Sequence, residues 1–125
     1  MKQSPTVLIV EDEAVMAMLL EKRIKSRGFS VCGVASTKEQ AVDLSLKYSP
    51  DFIIMDIRLS GEDDGIEAAE EITSKIKTRI IFSTGYSNEN VISKAMKLHP
   101  IAYLVKPFDI LELISIMNRN REPTD

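Results

Sequence analysis

The sequence predicts an α/β domain in which five strands alternate with five helices, (βα)5, forming a doubly wound parallel five-stranded sheet. Three observations lead there. Brief apolar runs rich in branched residues alternate with longer segments of helical spacing. The runs are apolar almost throughout, as in strands covered on both faces. The chain has 125 residues, 44% of them hydrophobic, which suits one core and leaves no room for a second domain of ordinary size. Strands separated by helices pair in parallel, because each helix carries the chain back across the sheet.

The elements follow in order. Val7–Val10 is the first strand. Val15, Leu19, Met16, Leu20 and Ile24 repeat at helical spacing, and Gly28 ends that first helix. Val31–Val34 is the second strand, with Cys32 as a buried, inert thiol. Ser36-Thr37-Lys38-Glu39-Gln40 holds two overlapping capping boxes for the second helix. Phe52–Met55 is the third strand, and Ile66, Ala69, Ile72 and Ile76 mark the third helix. Ile80–Phe82 is the fourth strand. Ser87 or Asn88 starts a helix carrying Val91, Ala95 and Leu98. Ala102–Val105 is the fifth strand, and Asp109 with Glu112 caps a last helix carrying Ile110, Leu113, Ile114 and Met117. The methionines at 16, 18, 96 and 117 fall on helical faces and read as core. The expectation is a single domain over residues 1–125, ordered from Pro5 to about Arg119, with a polar tail.

Composition removes several function classes. No apolar run approaches the ~20 residues of a membrane-spanning helix. The stretch Val7–Val10 is too short for a signal peptide. One cysteine excludes an internal disulfide and fits a reducing, cytoplasmic setting. A net charge of −3 argues against direct nucleic-acid binding.

In a parallel sheet all strands end at one edge, and ligands bind there. Glu11, Asp12 and Glu13 follow the first strand, Asp56 the third, Ser83-Thr84-Gly85 the fourth, and Lys106-Pro107 the fifth. Each has an ordinary explanation: acids before a helix complement its dipole, and an Asp or a Ser-Thr pair after a strand often makes a turn or cap. One phosphate-and-metal site accounts for all of them together. Carboxylates ~4 Å apart repel by roughly 4 kcal/mol per pair at an effective dielectric of 20. A hard divalent cation such as Mg2+ removes that repulsion while keeping several waters. Lys106 and the Thr84 hydroxyl can then meet a phosphoryl group. Asp56, central and alone at its strand end, is the natural nucleophile for an aspartyl phosphate.

These residues resemble the receiver domains of two-component response regulators. The resemblance rests on Val7-Leu8-Ile9-Val10-Glu11-Asp12-Glu13, Phe52-Ile53-Ile54-Met55-Asp56, Ile80-Ile81-Phe82-Ser83-Thr84-Gly85 and Tyr103-Leu104-Val105-Lys106-Pro107-Phe108. It implies a flavodoxin-like fold with strand order 2-1-3-4-5, and a regulator rather than an enzyme. Asp56 would accept a phosphoryl group from a histidine kinase or histidine phosphotransfer protein. Mg2+ would be held by Asp12, Asp56 and the backbone carbonyl of Arg58, with Glu11 assisting through water. Thr84 and Lys106 would contact the phosphoryl oxygens, and Tyr103 would turn inward with Thr84 as the switch. The Lys106–Pro107 peptide would be cis. Output would pass to the face of helix 4, strand 5 and helix 5, and helices 4 and 5 would be the surface for a homodimer. Arg58 and Tyr86, two residues past Asp56 and Thr84, would set the dephosphorylation rate, and Gly85 would leave a phosphodonor room to enter.

Two places depart from the common pattern. The loop Ile57-Arg58-Leu59-Ser60-Gly61-Glu62-Asp63-Asp64-Gly65 lacks the usual proline and is one residue longer. His99-Pro100 replaces a glycine-containing turn, which puts the start of the fifth strand in question. The alternative reading is a receiver-like protein-binding module that does not cycle phosphate. A flavodoxin-type electron carrier lacks its phosphate loop here, since three acids after the first strand would repel FMN phosphate. An aspartate-nucleophile phosphatase would need a substrate cap for which the chain has no room.

Overall fold

Alternation of strand and helix is complete along the chain: β1 (Thr6–Val10), α1 (Ala14–Lys25), β2 (Ser30–Ala35), α2 (Lys38–Tyr48), β3 (Phe52–Asp56), α3 (Asp64–Thr73), β4 (Arg79–Thr84), α4 (Glu89–Met96), β5 (Ala102–Val105) and α5 (Ile110–Arg119). The computed structural model describes residues 4–59, 64–85 and 88–121. All five strands pair in parallel in the order β2-β1-β3-β4-β5. Ser87, one of two expected starts of the fourth helix, lies outside the described residues. Asn88 caps that helix, its side chain accepting from the Val91 N–H at 2.9 Å. Among the described residues no helix is long and apolar enough to cross a membrane.

The central strands are apolar on both sides because both faces are covered. Leu8, Val10, Ile53, Met55, Ile80 and Phe82 face a core completed by Ala41, Ala68, Ile72, Val91 and Ala95 from α2, α3 and α4. Val7, Ile9, Phe52, Ile54 and Ile81 face a second core completed by Ala17, Leu20, Ile24, Leu113 and Met117 from α1 and α5. Small residues at 17, 41, 68, 69 and 95 let the helices approach the sheet closely.

Four expectations need correction. The inward stripe of α1 is Ala17, Leu20 and Ile24, whereas Val15 is 64% exposed, Leu19 44% and Met16 37%. A helix with apolar residues around most of its circumference does not declare its buried side, and the sheet chose the side with the small Ala17. Met18 is exposed on the same helix, Met96 is exposed on α4, where Val91 and Ala95 are the buried residues, and of the four helical methionines only Met117 is core. The third helix stops at Thr73 rather than reaching Ile76: beyond it the turn tightens, with Lys75 N–H donating to the Ile72 carbonyl at 3.0 Å, and the Thr73 and Ser74 hydroxyls donate to the Ala69 and Glu71 carbonyls at 2.8 and 2.6 Å. Cys32 is half-buried rather than buried. It sits in the edge strand β2, where the register steps from Val7↔Val31 to Leu8↔Gly33 and makes Cys32 the extra residue of a bulge. Burial still pushes its thiol pKa up, in keeping with an inert group.

Two turns follow expectation more closely. α1 ends at Lys25, and the turn beyond it passes through Gly28 at φ +91°. The fifth strand starts at Ala102 as read from the sequence, because His99 itself adopts the left-handed conformation, φ 54°, that a glycine usually supplies.

Gly65, in the first turn of α3, brings the fold to the site. Its N–H donates to the Ile57 carbonyl at 2.8 Å. A Cβ placed there would lie 2.1 Å from the Asp56 carbonyl oxygen and 2.7 Å from Ile57 Cα, and both are backbone atoms with nowhere to go. At Gly85 a Cβ would meet nothing within 4 Å. We therefore expect Gly65→Ala to lose about 1–3 kcal/mol of stability in urea unfolding, while Gly85→Ala changes it by less than about 0.5 kcal/mol. Equal effects at the two positions would contradict the close approach of α3 to Asp56.

Candidate functional site

The order β2-β1-β3 means that the chain leaves β1 toward one edge of the sheet and later returns to β1's other side, so β1 and β3 flank the crevice where the strand order reverses. The residues after these two strands are acids. Glu11 continues the β1 ladder, its N–H donating to the Ala35 carbonyl at 2.9 Å, and is 2% exposed. Asp12 beside it is exposed. Asp56 is the last residue of β3 and 4% exposed. Among the described residues these three form a carboxylate cluster able to share a cation, with one oxygen from each within 4.8 Å of the others.

Lys106 arrives from the end of β5. Its Nζ donates to Glu11 Oε1 at 2.7 Å and to Asp56 Oδ2 at 3.0 Å. Its backbone N–H donates to the Thr84 carbonyl at 2.7 Å, which ties the ends of β4 and β5 together. The peptide that follows, Lys106–Pro107, is cis, as the resemblance implied. The remaining acceptors are held by main chain: Arg58 N–H donates to Asp56 Oδ1 at 3.1 Å, and Glu13 N–H to Glu11 Oε2 at 3.1 Å.

Burial raises the Asp56 pKa to about 6. The hydrogen bond and charge of Lys106 pull it down, Glu11 pushes it up, and the Arg58 N–H lowers it slightly. Burial lowers the Lys106 pKa, but its bonds to Glu11 and Asp56 outweigh that and leave it above its ordinary value. Two buried acids thus share one ammonium, an imbalance that a hard divalent cation would correct. Three carboxylate oxygens beside solvent fit Mg2+, which binds a few protein oxygens and retains water.

The structure therefore gathers Glu11, Asp12, Asp56 and Lys106 at one point and places Thr84, 1% exposed, beside them at the end of β4. Tyr103 lies one step back, paired with Phe82 in the sheet and half-buried against the core under α4. The Arg58 side chain is exposed while its N–H holds Asp56. Tyr86 lies outside the described residues. Sequence reasoning missed two things. Gly65 packs on the peptide of Asp56, and the Asp64-Gly65 pair at a helix start was the available signal. Glu11 binds Lys106 directly, and nothing local announces a contact between residues so far apart in the chain.

Comparison with known proteins agrees with this arrangement. The family model described as the response regulator receiver domain matches residues 7–118. The transcriptional regulatory protein PdtaR of Mycobacterium tuberculosis is 40% identical over 108 residues, covering 86% of this chain but 52% of that protein, so the chain spans about half the length of this curated relative. The chemotaxis protein CheY of Bacillus subtilis is 32% identical over 114 residues, covering 90% of this chain and 94% of CheY. Among solved structures, the signal receiver domain of a modulated diguanylate cyclase from Desulfovibrio desulfuricans G20 superposes with a TM-score of 0.86 at 32% identity, covering 94% of this chain and 93% of that one. The response regulator domain of Thermotoga maritima CheB gives 0.84 at 28% identity, covering 97% of this chain and 100% of that one.

The raised Asp56 pKa has a sign that can be checked. The unfolded group ionises near 3.8 and the folded one near 6, so the folded state holds the proton more tightly between those values. The contribution of Asp56 to stability therefore falls as pH rises through that window and stays lowered above it. Asp56→Asn has no such loss. Its melting temperature in chelator should exceed that of the unsubstituted protein by a margin that is small near pH 4 and grows to several degrees near pH 7.5. A margin constant with pH would overturn the assignment.

Proposed function

The chain belongs to the response regulator receiver domain family, and from that premise we propose that it is a phosphorylation-dependent switch whose phosphoacceptor is Asp56. Receiver domains are regulatory phosphoacceptors that work with histidine kinases or histidine phosphotransfer proteins. The observation that carries the reading is Lys106 Nζ at 3.0 Å from Asp56 Oδ2, beside the carboxylate cluster of Glu11, Asp12 and Asp56.

The step is an in-line displacement. An Asp56 carboxylate oxygen attacks phosphorus, and the bond to the donor breaks as the new phosphorus–oxygen bond forms. With acetyl phosphate, acetate leaves with the electron pair; with phosphohistidine, the imidazole does. Asp12, Asp56 and the Arg58 carbonyl would hold Mg2+, with Glu11 assisting through water; the ion supplies charge neutralisation to the phosphoryl oxygens. Lys106 offers its ammonium to one of those oxygens and Thr84 its hydroxyl to another. A pKa near 6 leaves Asp56 mostly ionised, and so nucleophilic, at neutral pH.

Transfer places roughly two negative charges next to Lys106 and Thr84. We infer that Thr84 moves toward them and that Tyr103 turns further inward into the space it leaves. The output surface is then the face of α4, β5 and α5. That face carries exposed apolar side chains at Ile92, Met96, Val105 and Leu111, which suits a protein partner or a homodimer. A 100-fold shift in population needs a differential affinity of ~2.7 kcal/mol, within reach of one charge-assisted hydrogen bond and an ion pair. The setting we propose is the cytoplasm, with an upstream phosphodonor protein.

Incubation with acetyl phosphate and Mg2+ should give stoichiometric, acid-stable, base-labile phosphate in the unsubstituted protein and none in Asp56→Asn. Stoichiometric labelling of the variant would refute the phosphoacceptor, and failure of both proteins to label would favour a binding module that does not cycle phosphate. Thr84→Ala should still accept phosphate but lose most of the phosphorylation-dependent change in association, read by sedimentation with and without beryllofluoride. An unchanged response would remove Thr84 from the switch.

A further inference from the structure

We infer that Glu11 is a positioning residue for Lys106: its main task is to hold the ammonium at the phosphoryl site rather than to bind the cation. The inference rests on the reading of Asp56 as phosphoacceptor. Glu11 and Asp12 are neighbours in sequence but have different surroundings. Asp12 is exposed, whereas Glu11 is 2% exposed and fixed at several points. Its N–H is bonded to the Ala35 carbonyl at 2.9 Å, its Oε2 accepts from Glu13 N–H at 3.1 Å, and its Oε1 accepts from Lys106 Nζ at 2.7 Å. That last bond is shorter than the one from Lys106 to Asp56, at 3.0 Å.

The chemistry at Asp56 gives this bond its role. When an Asp56 oxygen bonds to phosphorus, the carboxylate becomes an acyl phosphate and its negative charge moves to the phosphoryl oxygens. Lys106 then loses one of its two carboxylate partners at the moment it must face the new charge. Glu11 is the partner that transfer leaves unaltered. A lysine side chain has a flexible four-carbon stem, and a carboxylate fixed by main chain removes much of that freedom before the donor arrives. Lys106 is thus aimed in both states by the same contact. Glu11 still adds negative charge near the cation, so a modest contribution to metal affinity is part of the inference.

Three measurements on the full chain test it. With lysine labelled in its side-chain nitrogen, the Lys106 ammonium should show slow proton exchange in the unsubstituted protein and lose that protection in Glu11→Gln. Titration with Mg2+ alone should weaken less than about fivefold in Glu11→Gln, and the rate of labelling by acetyl phosphate should fall by about tenfold or more at saturating Mg2+. The double variant Glu11→Gln/Lys106→Met should label no more slowly than Lys106→Met. A rapidly exchanging Lys106 ammonium in the unsubstituted protein would overturn the inference without any variant. So would recovery of the Glu11→Gln rate in excess Mg2+, or losses that multiply in the double variant. Failure of the parent reading is separate: it appears as labelling of Asp56→Asn, while the ammonium exchange in the unsubstituted protein still reports the Glu11–Lys106 contact.

Discussion

Two buried carboxylates share one ammonium at the carboxyl edge of the sheet, and the rest of the site follows from that unequal balance of charge. Glu11 and Asp56 lie almost wholly out of solvent, and Lys106 reaches both. Burial disfavours every charge in the group, so each must be held by a partner or neutralised. Main-chain N–H groups of Arg58 and Glu13 satisfy two of the carboxylate oxygens, and Lys106 satisfies the other two. In the proposed reading, the surplus negative charge, increased by Asp12, would draw a hard cation to this edge. A phosphoryl group would then be accommodated there, because cation, ammonium and hydroxyl could share its oxygens.

The parallel sheet makes this possible by delivering residues distant in sequence to one line. Central strands buried on both faces cannot slip register without moving apolar side chains from one core to the other, so their ends are fixed in space. The tight contact of α3 with the Asp56 peptide, possible only with glycine at 65, fixes the middle of that line. On the opposite edge Asp51 staples β1 to β3, its side chain accepting from Thr6 N–H at 2.8 Å and its own N–H donating to the Thr6 carbonyl at 2.9 Å. Rigidity on both edges leaves the local change at Thr84 and Lys106 to be expressed through α4 and β5, the elements attached to those residues. That is the basis of the switch proposed above.

Much of the site was legible because strand ends can be read from apolar runs, and the residue after each run is then known to sit on one edge. Asp56 and Lys106 follow from that rule alone, and for the fourth strand it narrows the choice to Ser83-Thr84-Gly85. The packing of the helices was less legible. α1 carries apolar residues on nearly every side, and helical periodicity cannot say which stripe meets the sheet; Val15 and Leu19 were as plausible as Ala17 and Leu20. The tightened turn after Thr73, where Lys75 N–H bonds to the Ile72 carbonyl, ends α3 at a point that hydrophobic spacing does not report.

The sequence by itself determined the alternation of elements, the parallel pairing that alternation requires, and the identities of the charged groups on the functional edge, because these depend on local patterns and on the direction of the chain. Only the tertiary structure decided which carboxylate Lys106 holds more closely, how deeply Glu11 is buried relative to Asp12, and why position 65 must lack a side chain. Those depend on distances between segments far apart along the chain, and such distances exist only after the strands have been laid side by side.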